Sequence, residues 1–322
     1  MKKVLILINK ISENPSEDEM DVLSQTSEVE EALRELNYVC TREFMDLNLE
    51  ITKQNILRYS PDIVFNLVES VDQKGELIYL APALLESLHI PYTGCLLDGM
   101  FITSNKVLSK QFLVQNKIPT PGWFSAMEIF KPEFRKSYIA KPLWEDASVG
   151  IDDSSVFQGN NTGIFDALKK RWGNNFFIEE YIDGREFNLS VLGGKEGPEV
   201  MPLAEIVFHE FPPEKPKIVG YAAKWDKGAF EYHNTIRSFD LSNISQELQS
   251  ELKEMALKCW KVFNLKGYAR IDFRVDKSGK AFVLEINANP CISPDAGFFA
   301  ACSAAGLTFT EVVERIIYDA LS

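Results

Sequence analysis

The stretch Gly267-Tyr268-Ala269-Arg270-Ile271-Asp272-Phe273-Arg274-Val275-Asp276-Lys277-Ser278-Gly279-Lys280-Ala281-Phe282-Val283-Leu284-Glu285-Ile286-Asn287 reads as two strands joined by a turn at Asp276-Lys277-Ser278-Gly279. Side chains alternate across a strand, so Arg270 and Asp272 share one face, and so do Glu285 and Asn287. Pairing the strands collects four polar groups on one surface. Asp272, Glu285 and Asn287 are hard oxygen donors, and Mg2+ in ATP sites is usually held by a few such ligands together with substrate phosphates. Arg270 beside them suits a transferring phosphate or a developing oxyanion. Taken alone, the pattern fits a solvated hairpin face with a fortuitous ion pair equally well.

Working outward, Ile139-Ala140-Lys141-Pro142 places a lysine at a strand end, followed by the small and polar loop Glu145-Asp146-Ala147-Ser148-Val149-Gly150. Such a loop can wrap phosphates with backbone N–H groups while the lysine neutralises their charge, although a surface turn beside an exposed lysine fits as well. In Phe177-Ile178-Glu179-Glu180-Tyr181-Ile182 two acids interrupt an apolar strand. A strand emerging from the core there offers main chain to an adenine edge and a carboxylate to a ribose; the alternative is a strand end reaching solvent. Glu186 enters the next strand, and Lys106 opens a helix over 106–115. The order of these features carries more information than any one of them.

The flanking chain divides in two. Val4-Leu5-Ile6-Leu7-Ile8 and Asp62-Ile63-Val64-Phe65-Asn66-Leu67 are apolar runs suited to buried parallel strands, with helical spacing over 27–36 and 77–88. Residues 1–95 therefore predict a small doubly wound α/β domain. From about residue 96 the pattern becomes α+β. Strands are expected at 137–141, 176–181, 186–192, 201–208, 267–275 and 281–286, with a helix over 246–263. Residues 211–234 lack periodicity and read as a long ordered loop, which in compact domains usually serves function.

With 322 residues, 45% of them hydrophobic and 25% charged, the chain can bury a large core of two or three domains. A formal net charge of -13 argues against a sequence-independent nucleic-acid binder, which neutralises phosphates with clustered Lys and Arg. Five dispersed cysteines without CxxC spacing read as reduced thiols, and the three histidines form no spaced ligand set. The opening residues read as a strand rather than a signal peptide, and no run is long enough for a membrane span, so a cytoplasmic location is expected.

The ordered set resembles the ATP-grasp superfamily, and more narrowly D-alanine–D-alanine ligase. The resemblance is carried by Ile90-Pro91-Tyr92-Thr93-Gly94, Lys106, Lys141-Pro142, Ser148-Val149-Gly150, residues 267–273 and residues 284–290. It implies an N-terminal doubly wound pre-ATP-grasp domain over 1–95 and a two-lobed ATP-grasp domain over 96–322, with a central lobe to about 182 and a C-terminal lobe from about 183. It also implies ATP with Mg2+, or Mn2+ in its place, and small amino-acid or peptide substrates. Homodimerisation follows only by family analogy.

By the same resemblance Lys106 and Lys141 would meet ATP phosphates, Glu179, Glu180 and Ile182 the adenine, and Glu186 the ribose. Asp272, Glu285 and Asn287 would hold the metal, with Arg270, Ser148 and Lys224 at the chemistry. Residues 145–150 and 211–234 would be lids. The γ-phosphate would pass to a carboxylate, giving an acyl phosphate that an amine attacks.

Departures from the family pattern fall in the amino-acid subsites. A Gly-rich turn is replaced by residues 9–19, a His-Gly pair by Glu69-Ser70, a loop serine by Ala147 and a tyrosine by Trp225. The segment Asn289-Pro290-Cys291-Ile292-Ser293-Pro294 replaces a Gly-containing turn, and Ala296 stands where a serine holds the second carboxylate. Glu69, Trp225 and Ser293 are thus the candidate substrate residues. Three readings stay open: a carboxylate–amine ligase with altered subsites, a true D-alanine–D-alanine ligase, and a non-catalytic nucleotide-binding regulator.

Overall fold

The computed structural model describes residues 2–13, 15, 17–128, 131–145, 148–161 and 163–322. The chain begins with β1 (Lys3–Asn9), α1 (Glu17–Glu35), β2 (Val39–Met45), α2 (Leu49–Tyr59), β3 (Ile63–Asn66) and α3 (Leu80–Ser87). The three strands form a parallel sheet in the order β2-β1-β3. Alternate residues of β1 point into different cores. Val4, Ile6 and Ile8 pack with α1, whereas Leu5 and Leu7 pack with α2 and α3. This is the expected doubly wound arrangement, and it explains why Val4 to Ile8 are all apolar: both faces are covered.

The helix expected over 27–36 starts earlier, at Glu17. The β2–α2 unit was not anticipated. β2 is an edge strand with exposed Val39 and Phe44, and Thr41, Arg42 and Glu43 interrupt its pattern, so it carries no buried-strand signature.

Next come α4 (Leu97–Ser104), α5 (Lys106–Gln115), β4 (Trp123–Ser125), β5 (Ser137–Pro142), β6 (Val156–Gln158), α6 (Ile164–Trp172) and β7 (Phe176–Glu180). Their strands form an antiparallel sheet in the order β4-β7-β5-β6. The remainder comprises β8 (Gly184–Leu192), β9 (Glu199–Val200), β10 (Ala204–Phe208), α7 (Tyr221–Trp225), α8 (Phe230–Asn234), β11 (Thr235–Ser238) and α9 (Gln246–Val262). It ends with β12 (Tyr268–Asp276), β13 (Ala281–Asn287), α10 (Gly297–Ala304) and α11 (Phe309–Leu321). A six-stranded sheet runs β11-β10-β8-β12-β13, with β9 paired to β8. Two five-residue helices, α7 and α8, lie in the segment read as a loop; each is too short to display a helical period.

The N-terminal sheet packs on the far end of the chain. Val312, Val313, Ile316 and Ile317 of α11 are fully buried in the same cluster as β1 and α1, each contributing about 1.5–3 kcal/mol by burial. A capping box between Thr308 and Glu311 starts that helix. A second tie is a close backbone approach: a Cβ on Gly267 (φ +71°) would lie 2.9 Å from the Cα and N of Gly94. The glycines of two resembling segments thus serve packing between the domains rather than chemistry.

Candidate active site

A cleft of about 940 Å³ runs between the two larger sheets and reaches the N-terminal domain. Its floor follows from strand register. Antiparallel pairing of β8 and β12 sets Ser190 opposite Arg270, Asn188 opposite Asp272 and Glu186 opposite Arg274. The alternate residues Phe187, Leu189, Ala269, Ile271 and Phe273 are fully buried on the other face. That leaves the polar set one direction to point, into the cleft. β13 adds Glu285 opposite Asp272 and Asn287 opposite Arg270, with a bulge just after Asp272.

Asp272 accepts from Arg270 Nε and a terminal guanidinium nitrogen, both at 2.8 Å, and from Asn188 Nδ2 at 2.8 Å. Three of its roughly four lone-pair sites are used. Burial pushes the Glu285 carboxyl up, but Lys106, Lys141, Arg270 and Lys224 outweigh it and hold that carboxyl below the usual range. Glu186 is buried and ion-paired at 2.6 Å with Arg274, which also donates to the carbonyls of Gly184 and Lys217. Sequence reading did not single out Asn188 or Arg274; their positions opposite Asp272 and Glu186 emerge only once the strands are paired.

The facing sheet supplies the lysines. Asn105 caps α5 by accepting from the Leu108 N–H at 2.9 Å, and the Lys106 N–H donates to the Leu143 carbonyl. Together these orient Lys106, whose ammonium reaches the Glu145 carbonyl at 2.8 Å at the cleft wall. On the β5–β7 pair Ile139 lies opposite Glu179, so Lys141 is diagonal to Glu179 on the same face. The two meet at 2.5 Å.

Glu179, placed at the adenine by resemblance, lines the cleft from beneath its wall. Glu179 is 1% exposed, and its other oxygen is held at 2.6 Å by Lys110, a residue the sequence did not flag. Burial raises the Glu179 carboxyl and the two lysines more than offset it, leaving it lowered. The apolar phase of β7 buries this acid, and two cations make the burial tolerable. Glu180 pairs with Lys136 at 2.7 Å; it and Ile182 line the cleft mouth.

The two segments expected to be lids touch each other over the cleft. Ser148, in the left-handed region at φ 63°, donates Oγ–H to the Val219 carbonyl at 2.7 Å, and the Tyr221 N–H donates to the Ile151 carbonyl at 2.9 Å. Lys215 bridges Asp153 and Glu231. Lys224 and Trp225, on α7, line the cleft. Ala147 lies outside the described residues.

At the N-terminal end the cleft is lined by Glu19, Asp21, Glu69 and Cys291. Glu69 accepts from Gln25 Nε2 at 3.2 Å. Ser293 is a correction: it is 1% exposed, does not line the cleft, and sits under the turn, with Oγ 3.3 Å from Asp21 Oδ1. Residue 293 falls on the inward side of a turn whose geometry spacing alone does not reveal. Arg237 of β11 was missed. It lines the cleft beside Arg270 and Ala296, and makes no hydrogen bond or ion pair among the described residues. Its guanidinium lies against Gly297, 3.5 Å from where a Cβ there would be. Burial and then the Arg270 charge lower its pKa while the Asp295 charge acts the other way, and the side chain stays open to solvent at the cleft.

No three His, Cys, Asp or Glu side chains cluster as a self-sufficient metal site among the described residues. Two carboxylates and an amide suit a hard cation that shares its remaining positions with phosphate oxygens. The donor chemistry therefore fits Mg2+ accompanied by ATP.

Comparison with known proteins identifies the family and the fold. The family model described as D-ala D-ala ligase C-terminus matches residues 126–318. A D-alanine–D-alanine ligase of Aquifex aeolicus is 30% identical over 293 residues, covering 90% of this chain and 92% of that protein. An uncharacterized protein of Sinorhizobium fredii, y4sG, is 30% identical over 263 residues, 79% of this chain and 73% of that one. The crystal structure of a Bacillus anthracis D-alanine–D-alanine ligase complexed with ATP superposes with a TM-score of 0.75 at 21% identity, covering 100% of this chain and 98% of that one, a likeness of fold. From the family match and the full-length kinship, the chain belongs to the D-alanine–D-alanine ligase family of ATP-dependent ligases.

Proposed function

We propose that the chain uses ATP and Mg2+ to activate a carboxylate as an acyl phosphate and joins it to the amine of an amino acid or small peptide. The observation that carries this reading is the register of β8, β12 and β13, which sets Asp272, Glu285, Asn287 and Arg270 on one cleft face opposite Lys106 and Lys141. Asp272, Glu285 and Asn287 would hold the metal, which when bound spreads the charge of the transferring phosphoryl group. Lys106 and Lys141 neutralise phosphate oxygens, and Arg270, braced by Asp272, faces the oxyanion that develops on the acyl oxygen when the amine attacks. The joined loops at Ser148 and Val219 exclude water that would hydrolyse the acyl phosphate.

Two readings of the substrate pair are supported by different observations. D-Alanine for both is supported by near full-length kinship to a protein of that name. A different pair is supported by the carboxylates Asp21 and Glu69 and by Arg237 near Ala296, all lining the cleft. We favour the second, with the first amino acid held near Glu69 and Trp225 shaping the acceptor side. Purified protein with ATP, Mg2+ and each amino acid alone and in pairs decides it by ADP release and product mass. No ADP with any pair would end the ligase reading; D-alanyl-D-alanine as the dominant product would end the altered-subsite reading.

A further inference from the structure

Lys110 follows Lys106 by one helical turn on α5, yet its ammonium points away from the cleft. It is 1% exposed and does not line the cavity. Its ammonium reaches Glu179 Oε2 at 2.6 Å and Thr120 Oγ1 at 2.8 Å, 5.9 Å from the Phe177 ring centroid. Glu179 is as deeply buried, and its other oxygen holds Lys141 at 2.5 Å. Lys141 alone of the three carries its charge to the cleft through a partly exposed side chain, at 12%. Cation, anion and cation thus form a row from the helix, through the two inner strands β7 and β5 of the sheet, to the wall where triphosphate would lie.

Burying a lysine is costly, and burying a second lysine against the same carboxylate would be gratuitous if Glu179 served only to anchor Lys141. Charge counting gives the row a purpose. One carboxylate shared by two ammoniums leaves a net charge of +1, and Lys141 is only partly compensated. Remove Lys110 and the Glu179–Lys141 pair becomes neutral, with the ammonium drawn onto the carboxylate. We infer that Lys110 is a positioning residue that, by occupying half of Glu179, keeps the charge of Lys141 available to the phosphates of ATP. This rests on the proposed phosphate role of Lys141.

Calorimetric titration of ATP, ADP and adenosine into the full-length protein tests it. Lys110→Met should weaken ATP binding by about tenfold, ADP by less, and adenosine not at all, because the lost charge acts on the polyphosphate. Lys110→Met combined with Glu179→Gln should regain ATP affinity, since the neutral amide releases Lys141. Lys110→Gln provides the same charge loss should the methionine variant fail to fold. Equal weakening for all three ligands, or no recovery in the double variant, would reduce Lys110 to a packing role and overturn the inference. Lys141→Met serves as the reference. If it weakens ATP and Lys110→Met does not, only the role of Lys110 is lost; if it leaves ATP affinity intact, the phosphate role of Lys141 is lost as well.

Discussion

The two ends of the cleft are built differently. The proposed nucleotide end is assembled from paired strands: β8, β12 and β13 place Glu186, Asn188, Arg270, Asp272, Glu285 and Asn287 by register, and β5 with β7 places Lys141 against Glu179. Its charges are mostly paired, as Arg274 with Glu186, Arg270 with Asp272, and Lys110 and Lys141 with Glu179. The proposed amino-acid end is assembled from turns, short helices and pieces of the first and last parts of the chain. There Asp21, Glu69, Cys291 and Ala296 are brought to one cleft only by the fold, and Arg237 faces solvent with the Asp295 charge nearby. A register-built site holds a ligand common to many relatives, whereas a loop-built one can change its substrate without disturbing a sheet.

The largest effect should come from striking the nucleotide end. Glu285→Gln or Asp272→Asn is expected to lower amino-acid-dependent ADP release on the order of a thousandfold, because a ligand charge is lost, with the thermal midpoint nearly unchanged. An active Glu285→Gln enzyme would remove the metal assignment. Arg274→Met should cost about 3 kcal/mol of stability, read by urea denaturation, since it strands buried Glu186 without its cation; a neutral result would mean that Glu186 finds another partner.

At the amino-acid end the effects should be smaller and confined to substrates. Arg237→Ala is expected to raise the acceptor KM about tenfold, the scale of one charge-assisted hydrogen bond, while leaving kcat and the ATP KM alone. A shift in the ATP KM instead would show that the two ends are not independent. Smallest of all, Ser148→Ala removes one loop-to-loop hydrogen bond worth about 1 kcal/mol. It should raise ADP release in the absence of acceptor several-fold, and no change would detach Ser148 from closure.

Legibility followed the same division. Arg270-x-Asp272 and Glu285-x-Asn287 were readable because a two-residue period maps onto strand faces wherever the strands lie. Lys106 was readable as the start of a helix over 106–115 and by its place in the ordered set. Lys110 has the same composition and helical pattern as Lys106, and nothing local says that one faces the cleft and the other a buried acid. Ser293, in a segment that departs from the family, looked as open as its polar neighbours, yet the turn buries it against Asp21. Arg237 sits in a short strand whose importance depends on what β10 and α10 bring beside it.

The sequence by itself determined the fold class, the doubly wound first domain and the polar faces of the β12–β13 hairpin, because these depend on periodicity and local chain geometry. The tertiary structure alone decided which charges pair, which lysine reaches the cleft, and how Gly94 and Gly267 seat the first domain against the last sheet. Those outcomes depend on distances between residues far apart in the chain, where a few ångströms separate an ion pair from a free charge in a medium of low dielectric.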